Sequence, residues 1–224
     1  MNASLKKIWA VLYKDIITEV RTREIIVSVL VFSLLVIIVF SFAFGVNRAV
    51  IEAVAPGILW VAFAFAGVLA LNRQFIPEKE NGCLEGILAS PISREALFFG
   101  KMLSTTLFLV AVEVIIIPVF ALLFDVAVID PKIILVTIMG TIGFAAVGTL
   151  FSALAVNTRA REMVLPVLFL PVVVPVIIAA VKASESALSG GDWGDISSWL
   201  LIIGAFDIIF ITVPYLIFNY IVEE

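Results

Sequence analysis

Residues 25–46 read IIVSVLVFSLLVIIVFSFAFGV, with no charge in the run. At 1.5 Å per residue this makes a helix about 33 Å long, enough to cross a hydrocarbon core about 30 Å thick. Five further stretches repeat the pattern, at 55–72, 102–124, 133–156, 163–181 and 199–221. The second and fifth are short but workable. With 63% hydrophobic and 14% charged residues, a soluble domain of this size is excluded. The expected fold class is all-α: a polytopic membrane protein with six transmembrane helices.

The formal charge of −4 says little, whereas the distribution of Lys and Arg around the spans sets orientation. Lys6, Lys7, Lys14, Arg21, Arg23, Arg73, Lys79, Arg94, Lys101, Arg159 and Arg161 fall on one side. Only Arg48, Lys132 and Lys182 fall on the other. The asymmetry places both termini in the cytoplasm, which agrees with an even number of spans.

The first apolar run starts only at Ile25 and closes on no small-residue cleavage pattern, so no cleavable signal peptide is expected. Ahead of it Leu5, Ile8, Trp9, Leu12, Ile16 and Val20 recur at helical spacing. Residues 1–24 therefore read as an amphipathic helix in the cytoplasmic headgroup layer, either a plain anchor or an elbow that moves with the first span. Residues 25–224 form the six-span region, including a cytoplasmic loop at 73–101.

The chain has no His and a single Cys, Cys83, so an internal disulfide and a His/Cys metal cluster are both ruled out. Gly100-Lys101 is not a phosphate-binding loop: Met102 follows it and Glu95 stands where the first glycine belongs. If the chain serves driven transport, the energy enters through another subunit or an ion gradient.

Two carboxylates, Glu113 and Asp207, fall inside spans, where an acidic group costs about 2.5–3.5 kcal/mol on insertion scales. They are either relay groups or neutral carboxyls bonded to a neighbouring helix. Thr141, Ala145, Thr149 and Ala153 form one small-residue stripe, and Ala62, Ala66 and Ala70 another. Such stripes serve packing within a subunit or contact between two copies. Pro166, Pro171 and Pro175 each delete a backbone donor, which predicts a kinked or broken fifth span and a candidate hinge. Residues 182–198, rich in Ser and Gly, read as a flexible external loop ending at Trp199, either a plain solvated loop with one boundary Trp or one whose Trp193 and Asp195 meet an external partner.

The loop between the second and third spans is longer than a hairpin needs. Asn81-Gly82 signals a turn, and a short helix through Leu84 and Leu88 stops at Pro91. Ala55-Pro56-Gly57-Ile58-Leu59-Trp60-Val61 opens the second span and Leu69-Ala70-Leu71-Asn72-Arg73 closes it. Gly82-x-Leu84-Glu85-x-x-Leu88-x-x-Pro91 follows, with Lys101 entering the third span and Leu170-Pro171-x-x-x-Pro175 in the fifth. These segments resemble the CcmB family, the permease subunit of the haem exporter of cytochrome c maturation. The block from Ala55 to Lys101 is the specific part. Asn72 departs from the acidic residue of some relatives.

The resemblance implies an ABC-2-type permease in the inner membrane of a prokaryote, with no ATPase site of its own. A separate ATPase would bind ATP, its hydrolysis coupled to haem export or to release of haem-loaded chaperone, and haem would be cargo of the complex and not a resident cofactor. Implied partners are that ATPase, a haem-handling membrane subunit, a small membrane protein, a haem chaperone, a second copy of the chain and lipid, with no role for nucleic acid. By analogy Gly82, Leu84, Glu85, Leu88 and Pro91 would form a coupling helix seated in the ATPase. Two alternatives stay open: a permease for another small molecule or lipid, and an ion-coupled carrier built on Glu113 and Asp207.

Overall fold

The computed structural model describes residues 3–44, 48–83, 86–87, 90–126, 128–156, 158 and 161–221, which contain helices and no strand. Helix α1 (Ala3–Thr22) turns at Arg23, in the left-handed region at φ 55°, into α2 (Glu24–Phe44). Then come α3 (Arg48–Asn72), the short α4 (Ile76–Glu80) and α5 (Arg94–Phe124). Helices α6 (Pro131–Ala155), α7 (Arg161–Leu188) and α8 (Trp193–Ile221) complete the bundle. Helices α2, α3, α5, α6, α7 and α8 are long and apolar enough to cross a bilayer. The chain is a multi-pass membrane protein.

Helix α6 is the hub. The most apolar part of it is 72% buried, against 22% for the corresponding parts of α2 and α8. Its composition explains this: Gly140, Gly143 and Gly148 let neighbours touch the backbone. A Cβ at Gly148 would lie 2.2 Å from Leu71 of α3, and one at Gly143 would lie 2.2 Å from Asp207 of α8. The stripe Thr141, Ala145, Thr149 and Ala153 is buried inside the subunit, as are Ala62, Ala66 and Ala70 of α3. These stripes serve packing within one chain and are closed to a second copy.

Several element ends start from caps the sequence supplies. Ser93 accepts from the Ala96 N–H at the start of α5, and Asp130 accepts from Lys132 N–H at 2.7 Å ahead of Pro131 in α6. Helix α1 lies along the N-terminal half of α5. At the crossing a Cβ on Gly100 would lie 2.6 Å from Val11, so only glycine admits the contact. The opposite side of α1 leaves Leu5, Trp9, Tyr13, Ile17 and Val20 exposed in a helical ladder suited to lipid.

Two expectations are narrowed or corrected. Helix α7 runs unbroken through Pro166, Pro171 and Pro175, which removes the broken-helix alternative, because the peptide bonds between the prolines still close the helix. The stretch 182–198 is mostly helical, and only residues 189–192 connect α7 to α8. The reason is burial: Ser184 accepts a hydrogen bond from Trp60 Nε1 at 3.0 Å, and Ala183 and Ala187 join the core. The remaining turn uses Gly190 at φ 78°, and Lys132 Nζ donates to the Gly191 carbonyl at 2.7 Å.

Candidate functional site

Where α3 ends, the chain folds back beneath the bundle. The Gln74 N–H bonds the Leu71 carbonyl at 3.2 Å, and the Ser152 hydroxyl of α6 donates to that same carbonyl at 2.8 Å. Gln74 then reaches inward. Its Nε2, with two protons to give, lies within hydrogen-bond distance of the Lys101 carbonyl at 3.1 Å, Thr105 Oγ1 at 2.8 Å and Thr149 Oγ1 at 2.9 Å. One amide thus joins the loop to both α5 and α6.

Lys101, 2% exposed, is the centre of the arrangement. Its ammonium donates to the Gln74 carbonyl at 2.8 Å and to Glu78 Oε1 at 2.5 Å, and lies 3.3 Å from Asp15. It also stands 4.9 Å from the Phe75 ring centroid, an added cation–π contact. Lys14 Nζ pairs with the Glu78 carboxylate and lies 2.6 Å from Asp15. Ser104 donates to Asp15 at 3.0 Å. Two ammonium groups and two carboxylates, drawn from α1, α4 and α5, therefore cancel in a site that is buried at Lys101 and Glu78 and open to solvent at Lys14. Burial alone would lower the Lys14 pKa, but Asp15 and Glu78 more than reverse this, so it stands above the usual 10.5. Lys14 is raised, so its stabilisation is complete below that value and fades only as pH climbs past it.

Such a cluster is costly to bury and costlier to break. It holds α4 and the start of the loop against α1 and α5 as one body. Lys79 Nζ adds a bond to the Val156 carbonyl at 2.5 Å, and Lys7 Nζ donates to the Pro91 carbonyl at the far end of the loop. Both ends of the loop are thereby tied to charged side chains.

Gly82 sits in the left-handed region at φ 66°, closing a turn in which its N–H bonds the Lys79 carbonyl at 3.1 Å. Leu84, Glu85 and Leu88 lie outside the described residues. Glu113 is buried in the bundle and accepts from Thr141 Oγ1 of α6 at 2.5 Å. Asp207 of α8 packs against Gly143 of the same helix α6, and no hydrogen bond joins it to Glu113. The two carboxyls are separate features of the bundle.

Sequence reasoning missed Asp15 and Gln74, and treated Lys101 as a boundary charge. The usable signal was Lys101-x-x-Ser104-Thr105: three polar residues on one face, where an apolar run begins.

This geometry defines a class: a six-span membrane subunit whose long loop is latched by buried charges to an amphipathic leading helix. The chain belongs to the CcmB protein family, whose model matches residues 6–222. It is 32% identical over 162 residues to Heme exporter protein B of Pseudomonas aeruginosa, covering 72% of this chain and 73% of that one. Heme exporter protein B of Bradyrhizobium diazoefficiens is 29% identical over 182 residues, 81% of this chain and 82% of its own. The Haemophilus influenzae protein of that name is 29% identical over 180 residues, 79% and 80% respectively.

Proposed function

We propose that this chain is the permease subunit of an ABC-type haem exporter in c-type cytochrome biogenesis. It lies in the cytoplasmic membrane of a prokaryote with both termini inside. The family membership and the names of its relatives support the reading, and the Lys and Arg asymmetry supports the orientation. ATP binds and is hydrolysed on a separate subunit. Haem is cargo of the complex, and this chain holds no cofactor. A haem-handling membrane subunit, a small membrane protein, a haem chaperone and a second copy of the chain complete the assembly.

The observation that carries the mechanism is the Lys101–Glu78–Asp15 cluster. When ATP closes two ATPases, the segment containing Gly82, Leu84, Glu85, Leu88 and Pro91 is pushed. Because the loop is latched to α1 and α5, the push moves those helices instead of bending the loop. Helix α7, with its missing donors at Pro166, Pro171 and Pro175, is the bend point for the response. The space beside Glu113 is only about 10 Å³, room for one water at most, which speaks against a hydrated ion pathway through that residue.

The test is co-purification of the chain with the ATPase and haem-handling subunits, comparing the wild type with Glu85→Arg. A complex that the substitution dissolves, with normal membrane insertion, supports the coupling role. A complex of unchanged yield and normal cytochrome maturation in Glu85→Arg counts against it.

A further inference from the structure

Beside the charge cluster a cavity of about 460 Å³ opens between α1, α2, α3 and α5, within the size range of ligand sites. Its walls are largely apolar, with Ile25 and Ile26 from α2 and Ala70 from α3 facing α5. On α5 it is lined from Lys101 through Thr105 and Phe108 to Ala111. Ten residues of helix cover about 15 Å, half the thickness of a hydrocarbon core. The cavity thus runs from the cytoplasmic boundary, marked by the last charge before the apolar part of α5, to the depth where an acyl chain ends. Leu107, 48% exposed, and Ala111 lie on the outer surface of α5, so the deep end opens sideways to lipid.

The charges at the mouth identify the headgroup. Three carboxylates line it, and each has a partner: Asp15 and Glu78 hold Lys14 and Lys101, and Glu19 accepts from the Ile26 N–H at 2.8 Å. Three cations line it too. Lys14 and Lys101 are taken, whereas Arg73 is exposed with no ion pair among the described residues. The three cations and three carboxylates balance in number, but Arg73 is the cation outside the ion cluster, as Glu19, held by a backbone N–H, is the carboxylate outside it. A guanidinium free of ion pairs among the described residues therefore stands over an apolar slot at headgroup depth, and guanidinium is the side chain best matched to phosphate oxygens.

We propose that this groove holds one anionic phospholipid of the cytoplasmic leaflet, with an acyl chain between α2 and α5 and its phosphate on Arg73. The lipid fills the space between the leading helix and the bundle and is a third contact, beside the ion cluster and Gly100, joining α1 to α5. It is separate from export of cargo, so the proposal stands or falls independently of the haem reading.

Native mass spectrometry of the full chain tests it, with phosphatidylglycerol and phosphatidylcholine supplied in equal amounts. The wild type should keep one phosphatidylglycerol in preference to phosphatidylcholine. Arg73→Ala should weaken that preference about fivefold, the value of one cation near an anionic headgroup. Arg73→Lys should retain most of it, and Lys6→Glu, an exposed charge change elsewhere on α1, should leave it intact. Ala111→Trp should reduce binding of long-chain phosphatidylglycerol while sparing a short-chain analogue, which separates a groove from a surface phosphate site. Equal retention of both lipids, an unchanged preference in Arg73→Ala, or no chain-length effect in Ala111→Trp overturns the proposal. Displacement of the lipid by millimolar inorganic phosphate overturns it as well, because the ligand would then be a free anion.

Discussion

A lysine that is 2% exposed persists only if its donors are taken, and Lys101 meets that condition with the Gln74 carbonyl, Glu78 and Asp15. Removing one member of such a set strands the others. Lys101→Met should therefore destabilise the chain by about 3–5 kcal/mol, read as a lower melting temperature in detergent. Adding Glu78→Met to Lys101→Met should restore part of the loss, and a double-mutant cycle measures the coupling directly. Additive losses would show that the two residues do not act together. Glu113 behaves differently. Its contact is a hydroxyl donated by Thr141 at 2.5 Å, which a glutamine oxygen accepts equally well. Glu113→Gln should leave cytochrome maturation within about twofold of wild type, since surviving hydrogen bonds cost little. Loss of activity there would revive an ion-coupled carrier.

At the scale of elements, α1 matters through one narrow crossing. Gly100→Val would push Val11 and the Ile8 carbonyl away from α5 and should cost about 1–3 kcal/mol, detectable as faster proteolysis of the leading helix. Unchanged proteolysis would mean that α1 is not seated there. The spans were legible because each is an uninterrupted apolar run, a signal that depends on no distant residue. The helical state of 182–198 was not, because its Ser and Gly content reads as a loop until Trp60 is seen bonding Ser184 from 124 positions away. Nor did three prolines break α7, where local propensity yields to the surrounding bundle. The charge cluster was partly legible. Lys101 stood out as a boundary charge, but its pairing with Glu78 and Asp15 joins residues 23 and 86 positions apart. No local pattern encodes such pairs.

The whole molecule is a bundle centred on α6, with the start of the loop latched by the ion cluster to the leading helix and α5. The small-residue stripes are occupied internally, so any contact between copies must use other surfaces. Helices α2 and α8, the least buried spans, are the surfaces left for neighbouring subunits or lipid. Deciding whether the latch transmits force calls for the whole complex with its ATPase, reconstituted with Lys101→Met beside the wild type. ATP turnover and haem-chaperone release would be followed in the same sample, at a temperature where both variants remain folded. The account predicts that Lys101→Met keeps ATP hydrolysis and subunit composition while release falls about tenfold, a loss near 1.4 kcal/mol in coupling. Hydrolysis and release that stay in the wild-type ratio would contradict it.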